Sequence, residues 1–271
     1  MEHCINSIEQ LLVSEGIKAN NKPITFVSEE EINDKFYQTL EISEEEREEN
    51  ERYLKDIHNY PHALVLSALM DRGVKAEHVW ILPILIKREI GSIDFSDIYE
   101  LLTLERCENI IVNQIHHRYG HQQAIYLRNA IEKIHDDYNS NISNLWINKP
   151  SSSKVVAGFL QFTGCGIKIA TMIPNILYRN LNVSFSDYIG IEVSPDLQVI
   201  KILKRTGLVP IGLNDELTKQ LVIYKAKEIN PSYPGVIDLV CWEIGRNYCK
   251  ESENTSKCES CPIGSLCRRI F

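Results

Sequence analysis

No apolar stretch in these 271 residues approaches the ~20 consecutive apolar residues that a membrane-spanning helix needs. The opening Met-Glu-His-Cys-Ile-Asn carries no basic region followed by an apolar one, so no secretory signal is read there. A cytoplasmic protein with no membrane partner is expected, and in that compartment the eight cysteines are thiols or metal ligands rather than disulfides. Positive charge is also short. The chain has 29 Lys and Arg against 37 Asp and Glu, a net charge of −8. That balance counts against a chain-wide nucleic-acid surface, because duplex binding uses Lys and Arg to displace counterions. The deficit is local, however: residues 1–60 hold 15 acidic and 6 basic side chains, and the remainder sums to +1. The acid is concentrated in Ser28–Asp56, including Glu44-Glu45-Glu46-Arg47-Glu48-Glu49. A solvated helix face accounts for such a run; an autoinhibitory or partner-binding tail is the second reading. Strand-like alternation is scarce, and there is neither an internal repeat nor a low-complexity tract.

What the chain has in quantity is helical periodicity, at 44% hydrophobic and 24% charged residues, the balance of a globular domain. Ser28 and Ser43 each stand three residues before a glutamate (Glu31, Glu46), the capping-box pattern that opens a helix. Helical spacing covers 61–72 and 75–90, the second kinked at Pro83 and capped at Gly91. Ser96 is placed to cap a short helix through Leu104. Ala124, Ile125, Leu127, Ala130, Ile131 and Ile134 form one apolar stripe. Residues 139–153 read as a loop, and 154–162, 167–180, 196–205 and 236–248 as further helices. The expected class is all-α.

Four of the eight cysteines, Cys249, Cys258, Cys261 and Cys267, fall in the last 23 residues with the spacing C-x8-C-x2-C-x5-C. A C-x2-C pair lets two thiolates chelate one centre from a tight turn, and the outer cysteines complete a four-thiolate shell. Structural zinc takes four thiolates too, but usually from two short pairs. One short pair with two unequal arms favours an iron–sulfur cluster, with zinc as the alternative. Cys4, Cys107, Cys165 and Cys241 are scattered and read as core or incidental.

Residues 162–170, Phe-Thr-Gly-Cys-Gly-Ile-Lys-Ile-Ala, place Gly164 and Gly166 between two apolar helical stretches. Glycine permits unusual backbone angles and close approach. The N–H groups opening the second helix can then receive a phosphate, which makes Gly164, Cys165 and Gly166 candidate DNA contacts. Lys168 sits just inside that helix, where the dipole disfavours its charge and so frees the amine as a nucleophile. A surface lysine touching a phosphate or nothing is the plainer reading of the hairpin alone. Asp196 follows 28 residues later, after Pro195, in what is also an ordinary helix start.

Taken together, these residues resemble the endonuclease III branch of the helix-hairpin-helix DNA glycosylases. The family's L-P-G-V-G-x-K-T-A hairpin is matched at 162–170. Its V-D-T-H-V-x-R-V stretch is matched by Pro-Asp-Leu-Gln-Val-Ile-Lys-Ile at 195–202. Its G-R-x-x-C is matched by Gly245-Arg246-Asn247-Tyr248-Cys249. The family's usual C-x6-C first arm carries two extra residues here. The resemblance covers residues 60–271. It implies a six-helix barrel domain with the helix-hairpin-helix at 60–190 and a [4Fe–4S] cluster domain at 191–271. The acidic segment 1–59 would pack on that cluster domain, and double-stranded DNA would lie in a cleft with a damaged or modified base flipped out. A monomer is expected.

By the same resemblance, Lys168 corresponds to the Schiff-base lysine, Asp196 to the catalytic aspartate, and Cys249, Cys258, Cys261 and Cys267 to the cluster ligands. The implied chemistry is base removal by attack of the lysine amine on C1′, followed by β-elimination, an AP-lyase step. The cluster would brace a loop, with Lys257, Arg268 and Arg269 near the DNA backbone. The chain departs from the pattern at several points. Leu69-Met70-Asp71-Arg72-Gly73 replaces a glutamine-containing segment, Leu66 falls where adenine-specific relatives carry glutamate, Pro174 interrupts the second hairpin helix, and Gln198 replaces a histidine. Asp71, Arg72 and His62 are candidates to line a base pocket, though each also fits as an ordinary polar residue. Three other readings stay open: a non-catalytic nucleic-acid-binding protein with a structural metal cluster, a zinc-stabilised helical protein, and an enzyme acting on RNA.

Overall fold

The computed structural model describes residues 2–27 and 35–271. The helix start expected at Ser28 lies outside the described residues. Among those described, regular structure is helical throughout, with no strand. In chain order the helices are α1 (Glu2–Asn20), α2 (Lys35–Thr39), α3 (Glu44–Lys55), α4 (Pro61–Leu69), α5 (Ala76–Trp80), α6 (Leu82–Ile90) and α7 (Phe95–Leu101). They continue with α8 (Leu104–Glu108), α9 (Gly120–Tyr138), α10 (Ser152–Leu160), α11 (Ile167–Leu181), α12 (Leu197–Arg205), α13 (Asp215–Ile229) and α14 (Asp238–Asn247). The chain divides into two compact units.

One unit comprises residues 24–150 and 157–173. Its α3 opens on a complete capping box. Ser43 Oγ accepts the Glu46 N–H at 3.2 Å, and the Glu46 carboxylate accepts the Ser43 N–H at 3.0 Å. The acidic run is only partly a solvated face. Glu44, Glu45 and Glu48 are exposed, whereas Glu46 pairs with Arg88 at 2.6 Å and Glu49 with Lys87 at 2.7 Å. Glu51 is buried and accepts the N–H groups of both Phe26 and Val27 at 2.7 Å. Asn50 donates to the Trp80 carbonyl at 2.9 Å. These bonds tie residues 26–27 and α3 to one another and to α5 and α6, and position 59/60 lies inside this unit.

Pro83 breaks the 75–90 helix rather than kinking it. It has no N–H to give, and its ring would crowd the Val79 carbonyl. The chain leaves helical geometry at Ile81 (φ −86°, ψ 0°) and α6 restarts with Pro83 in its first turn. Gly91 then caps α6 at φ 82° with its N–H on the Lys87 carbonyl. The next helix is capped two residues earlier than expected: Asp94, not Ser96, holds the N-cap position of α7. On α9, Ala124, Leu127, Ala130, Ile131 and Ile134 are buried as the stripe requires, but Ile125 is 38% exposed. It stands about 100° around the helix from Ala124 and so faces away from the stripe.

The second unit comprises residues 1–23, 151–156 and 174–271. Ile8, Leu12 and Ala19 of α1 share its core with Val199, Ile202 and Leu203 of α12, Val240 and Ile244 of α14, and Ile263. Gly16 lets α1 approach closely, since a Cβ there would lie 2.3 Å from the Val236 carbonyl oxygen. The chain passes from the first unit into this one within α11 at Pro174, so the expected boundary at 190/191 falls inside the second unit. Among the described residues, no helix is long and apolar enough to cross a membrane.

Candidate functional site

The glycine hairpin lies between α10 and α11 in the first unit. Its two glycines do different work. Gly164 has φ +81°, and a Cβ there would lie 2.4 Å from the Tyr126 ring of α9. It is required both by backbone conformation and by packing. Gly166 needs neither. It has no left-handed angle, and a Cβ would meet nothing within 4 Å. Bulk at Gly166 would therefore not strain the turn; that strain belongs to Gly164. What Gly166 offers is open space in front of the helix start. Its carbonyl accepts the Ala170 N–H at 3.0 Å, a backbone bond that opens α11 from Gly166. Cys165 is half-buried in the turn, and burial pushes its thiol up to about 12.

Lys168 is exposed in the first turn of α11. The segment Met70–Gly73, at the end of α4, runs beside this hairpin. Arg72 donates from Nη1 to the Gly164 carbonyl at 2.9 Å. Asp71 is half-buried, and desolvation raises its carboxyl, while the charge of Lys168 lowers it and Glu77 raises it further. The Asp71–Lys168 proximity is not visible as a sequence motif, because 97 positions separate the two residues. His62 is a core residue, 3% exposed, with Nε2 2.8 Å from the Ile93 carbonyl and its ring against Phe95. Burial lowers its pKa to about 4. Leu66 is fully buried.

Asp196 belongs to the second unit and Lys168 to the first. Asp196 is the N-cap of α12: Oδ1 accepts the Gln198 N–H at 2.8 Å and the Val199 N–H at 2.9 Å. Two bonds to one oxygen fix the orientation of the carboxylate. Gly245 explains the Gly-Arg motif, since a Cβ there would strike Gln198 Oε1 at 2.2 Å, so only glycine lets α14 pack on α12. Lys201 Nζ donates to the Gly245 carbonyl at 3.1 Å.

The last turn of α14 leads into the cysteine loop. Cys249, Cys258, Cys261 and Cys267 line a single pocket with Ile202, Arg205 and Ile263. The long first arm folds into a turn at Glu253–Thr255 stapled by Ser252 and Thr255, and Lys257 N–H returns to the Tyr248 carbonyl at 2.7 Å. Gly264 permits the tight wrap, because a Cβ there would lie 2.1 Å from the Cys258 carbonyl oxygen. Burial raises the thiols of Cys261 and Cys267, and the neighbouring sulfurs raise them further. Arg205, which nothing in the sequence singled out, is 8% exposed and donates to Cys249 Sγ at 2.9 Å, to the Lys250 carbonyl, and to the Glu251 carbonyl at 2.8 Å. Its guanidinium stacks on Phe271 at 4.0 Å. Arg269 is held by Glu259 at 2.9 Å.

No protein-family model matches the chain, and no curated protein matches it. Solved structures do. A trapped endonuclease III–DNA covalent intermediate, the estranged-adenine complex, aligns over 77% of this chain and 84% of its own, with 18% identity and a TM-score of 0.53. A non-covalent endonuclease III–DNA complex aligns over 77% of this chain and 83% of its own, again at 18% identity and TM-score 0.53. At that identity the likeness is one of fold: the chain has a fold like that of endonuclease III.

Proposed function

We propose that this protein is a base-excision DNA glycosylase with AP-lyase activity, which removes a damaged or modified base through a Schiff base on Lys168. The observation that carries the reading is the hairpin: an exposed amine two residues beyond Gly166, where the approach to the helix start is open. Phosphate docks on the N–H groups that open α11, through the Gly164-Cys165-Gly166 turn. The neutral Lys168 amine attacks C1′ of a flipped nucleotide and the base departs with the electrons of its bond. Loss of a second proton from nitrogen allows ring opening to an imine, and β-elimination then cuts the strand on the 3′ side. Asp196, held by its two cap bonds, contributes negative charge to the cation developing on the sugar.

The C-terminal residues fit a [4Fe–4S] cluster. Four thiols stand around a space with an apolar lining from Ile202 and Ile263. One short C-x2-C pair with two unequal arms suits a [4Fe–4S] cluster better than one zinc. A buried Arg205 guanidinium on Cys249 Sγ suits an anionic, metal-bound sulfur. Cys249, Cys258, Cys261 and Cys267 would hold the group, and its contribution when bound is to brace the loop.

Borohydride trapping tests the chemistry, since a primary amine bonded to C1′ must pass through a reducible imine. The enzyme should become covalently attached to an oligonucleotide with an abasic site, and Lys168→Ala should abolish attachment while retaining the fold. Asp196→Asn should keep DNA binding and slow base removal on the order of a hundredfold. Persistent trapping in Lys168→Ala would assign the nucleophile elsewhere. A wild type that traps on no abasic or lesion-bearing substrate would leave a non-catalytic DNA-binding protein.

A further inference from the structure

Arg205, the last residue of α12, is a buried cation whose hydrogen bonds reach no carboxylate. Its guanidinium donates to Cys249 Sγ at 2.9 Å, to the Lys250 carbonyl and to the Glu251 carbonyl at 2.8 Å, and it lies 4.0 Å from the centre of the Phe271 ring. Carbonyls and a ring satisfy the N–H groups and the face of the guanidinium, but none of them carries a formal charge. Burying a cation is costly unless an anion stands beside it. Among these partners the Cys249 sulfur is the one that can become an anion. The other cations of the region bond elsewhere: Lys201 gives its ammonium to the Gly245 carbonyl at 3.1 Å, and Arg269 pairs with Glu259 at 2.9 Å. Arg205 is also held by its backbone, since its carbonyl accepts the Ile270 N–H at 3.2 Å. It therefore grips the arm that opens the cysteine loop with its side chain and the strand of chain that closes it with its carbonyl.

We propose that Arg205 is the internal counter-ion of the cysteine site: its guanidinium donates to the metal-bound Cys249 sulfur and thereby sets the reduction potential of the group held there. The proposal rests on reading that pocket as a [4Fe–4S] site. Four thiolates outweigh the positive iron–sulfur core, so the assembly is anionic and each added electron makes it more so. A hydrogen bond to a ligand sulfur draws electron density from it, and a fixed cation favours the more negative state. Arg205 thus raises the potential and resists loss of an electron. Burial strengthens the effect, because little water stands between the guanidinium and the sulfur to screen it. The planar fork matters as well as the charge, since Nη1 bonds the sulfur while Nη2 is fixed on the Glu251 carbonyl.

The test needs neither DNA nor turnover. The intact protein is prepared without oxygen, its iron is counted, and its reduction potential is read by voltammetry of the protein on an electrode. In Arg205→Gln the reduced-to-oxidised ratio at a fixed electrode potential should fall about tenfold, a drop of about 59 mV for a one-electron couple. Arg205→Lys keeps a charge without the fork and should recover only part of that shift. An iron-loaded Arg205→Gln whose potential equals that of the wild type overturns the proposal and leaves the cluster reading standing. If Arg205→Gln does not fold or does not load, Arg205→Lys decides: a potential below the wild type supports the proposal, and an equal one overturns it. A wild type that holds zinc or no metal fails the cluster reading itself, and the proposal falls with it.

Discussion

A histidine with 3% of its surface exposed cannot take a proton without cost. His62 meets the Ile93 carbonyl and the Phe95 ring, and its pKa falls to about 4 from an ordinary 6.5. The unfolded chain therefore binds a proton at this residue before the folded chain does. Stability from the neutral ring is complete above pH 6.5 and is lost as pH falls from there toward about 4. The full span is worth about 3 kcal/mol. Denaturant midpoints should drop between pH 7 and pH 4.5, and His62→Gln, less stable at neutral pH, should show a flatter dependence over that range. A wild-type slope unchanged in His62→Gln would assign the acid sensitivity to other groups. Asp71 shows the same principle with a different outcome: burial raises its carboxyl, and the nearby Lys168 charge opposes the rise.

At the scale of the element, the hairpin separates what folds from what binds. Gly164→Ala places a Cβ 2.4 Å from the Tyr126 ring at φ +81°. It should cost about 1–3 kcal/mol, seen as a lowered melting temperature. Gly166→Val points into open space, so melting should change little. The added branch covers the helix start, and affinity for all duplexes should fall alike while wild-type binding declines steeply with salt. Unchanged affinity at every salt concentration would make the hairpin a packing device only. This division is not legible in Gly164-Cys165-Gly166 as a string, because two glycines look alike until the backbone and Tyr126 are in place. The capping box at Ser43–Glu46 is the opposite case. Its partners lie within one turn, so the motif states the structure. Pro83 lies between the two: its missing N–H is legible, but whether the helix kinks or restarts depends on packing around α5 and α6.

At the scale of the molecule, the cysteine loop closes the second unit, with Ile263 in the same core as α1, α12 and α14. If the pocket holds a [4Fe–4S] cluster, protein prepared without oxygen should be brown, with about four irons per chain. Cys258→Ser should lose the metal and destabilise the second unit, because ligand binding and folding are coupled there. A colourless preparation with one zinc per chain would end the cluster assignment.

Local chemistry was readable in the chain itself. The helical class, the Ser43 cap, the Gly91 stop, the α9 stripe and the Asp196 helix start all depend on neighbours a few residues away. The four-cysteine spacing names a common pocket for the same reason, with three of its members in ten residues, from Cys258 to Cys267. The tertiary structure decided the rest, since those contacts join distant segments. It turned the acidic run into a helix anchored by Arg88 and Lys87, made His62 core, and placed Arg205 on Cys249. It also divided the chain into one unit of residues 24–150 and 157–173 and another of residues 1–23, 151–156 and 174–271. Charge and composition report what a segment can tolerate, whereas burial and partner choice depend on which surfaces meet. A single glycine methyl's worth of space, at Gly164 or Gly245, is set by a side chain 38 or 47 positions away.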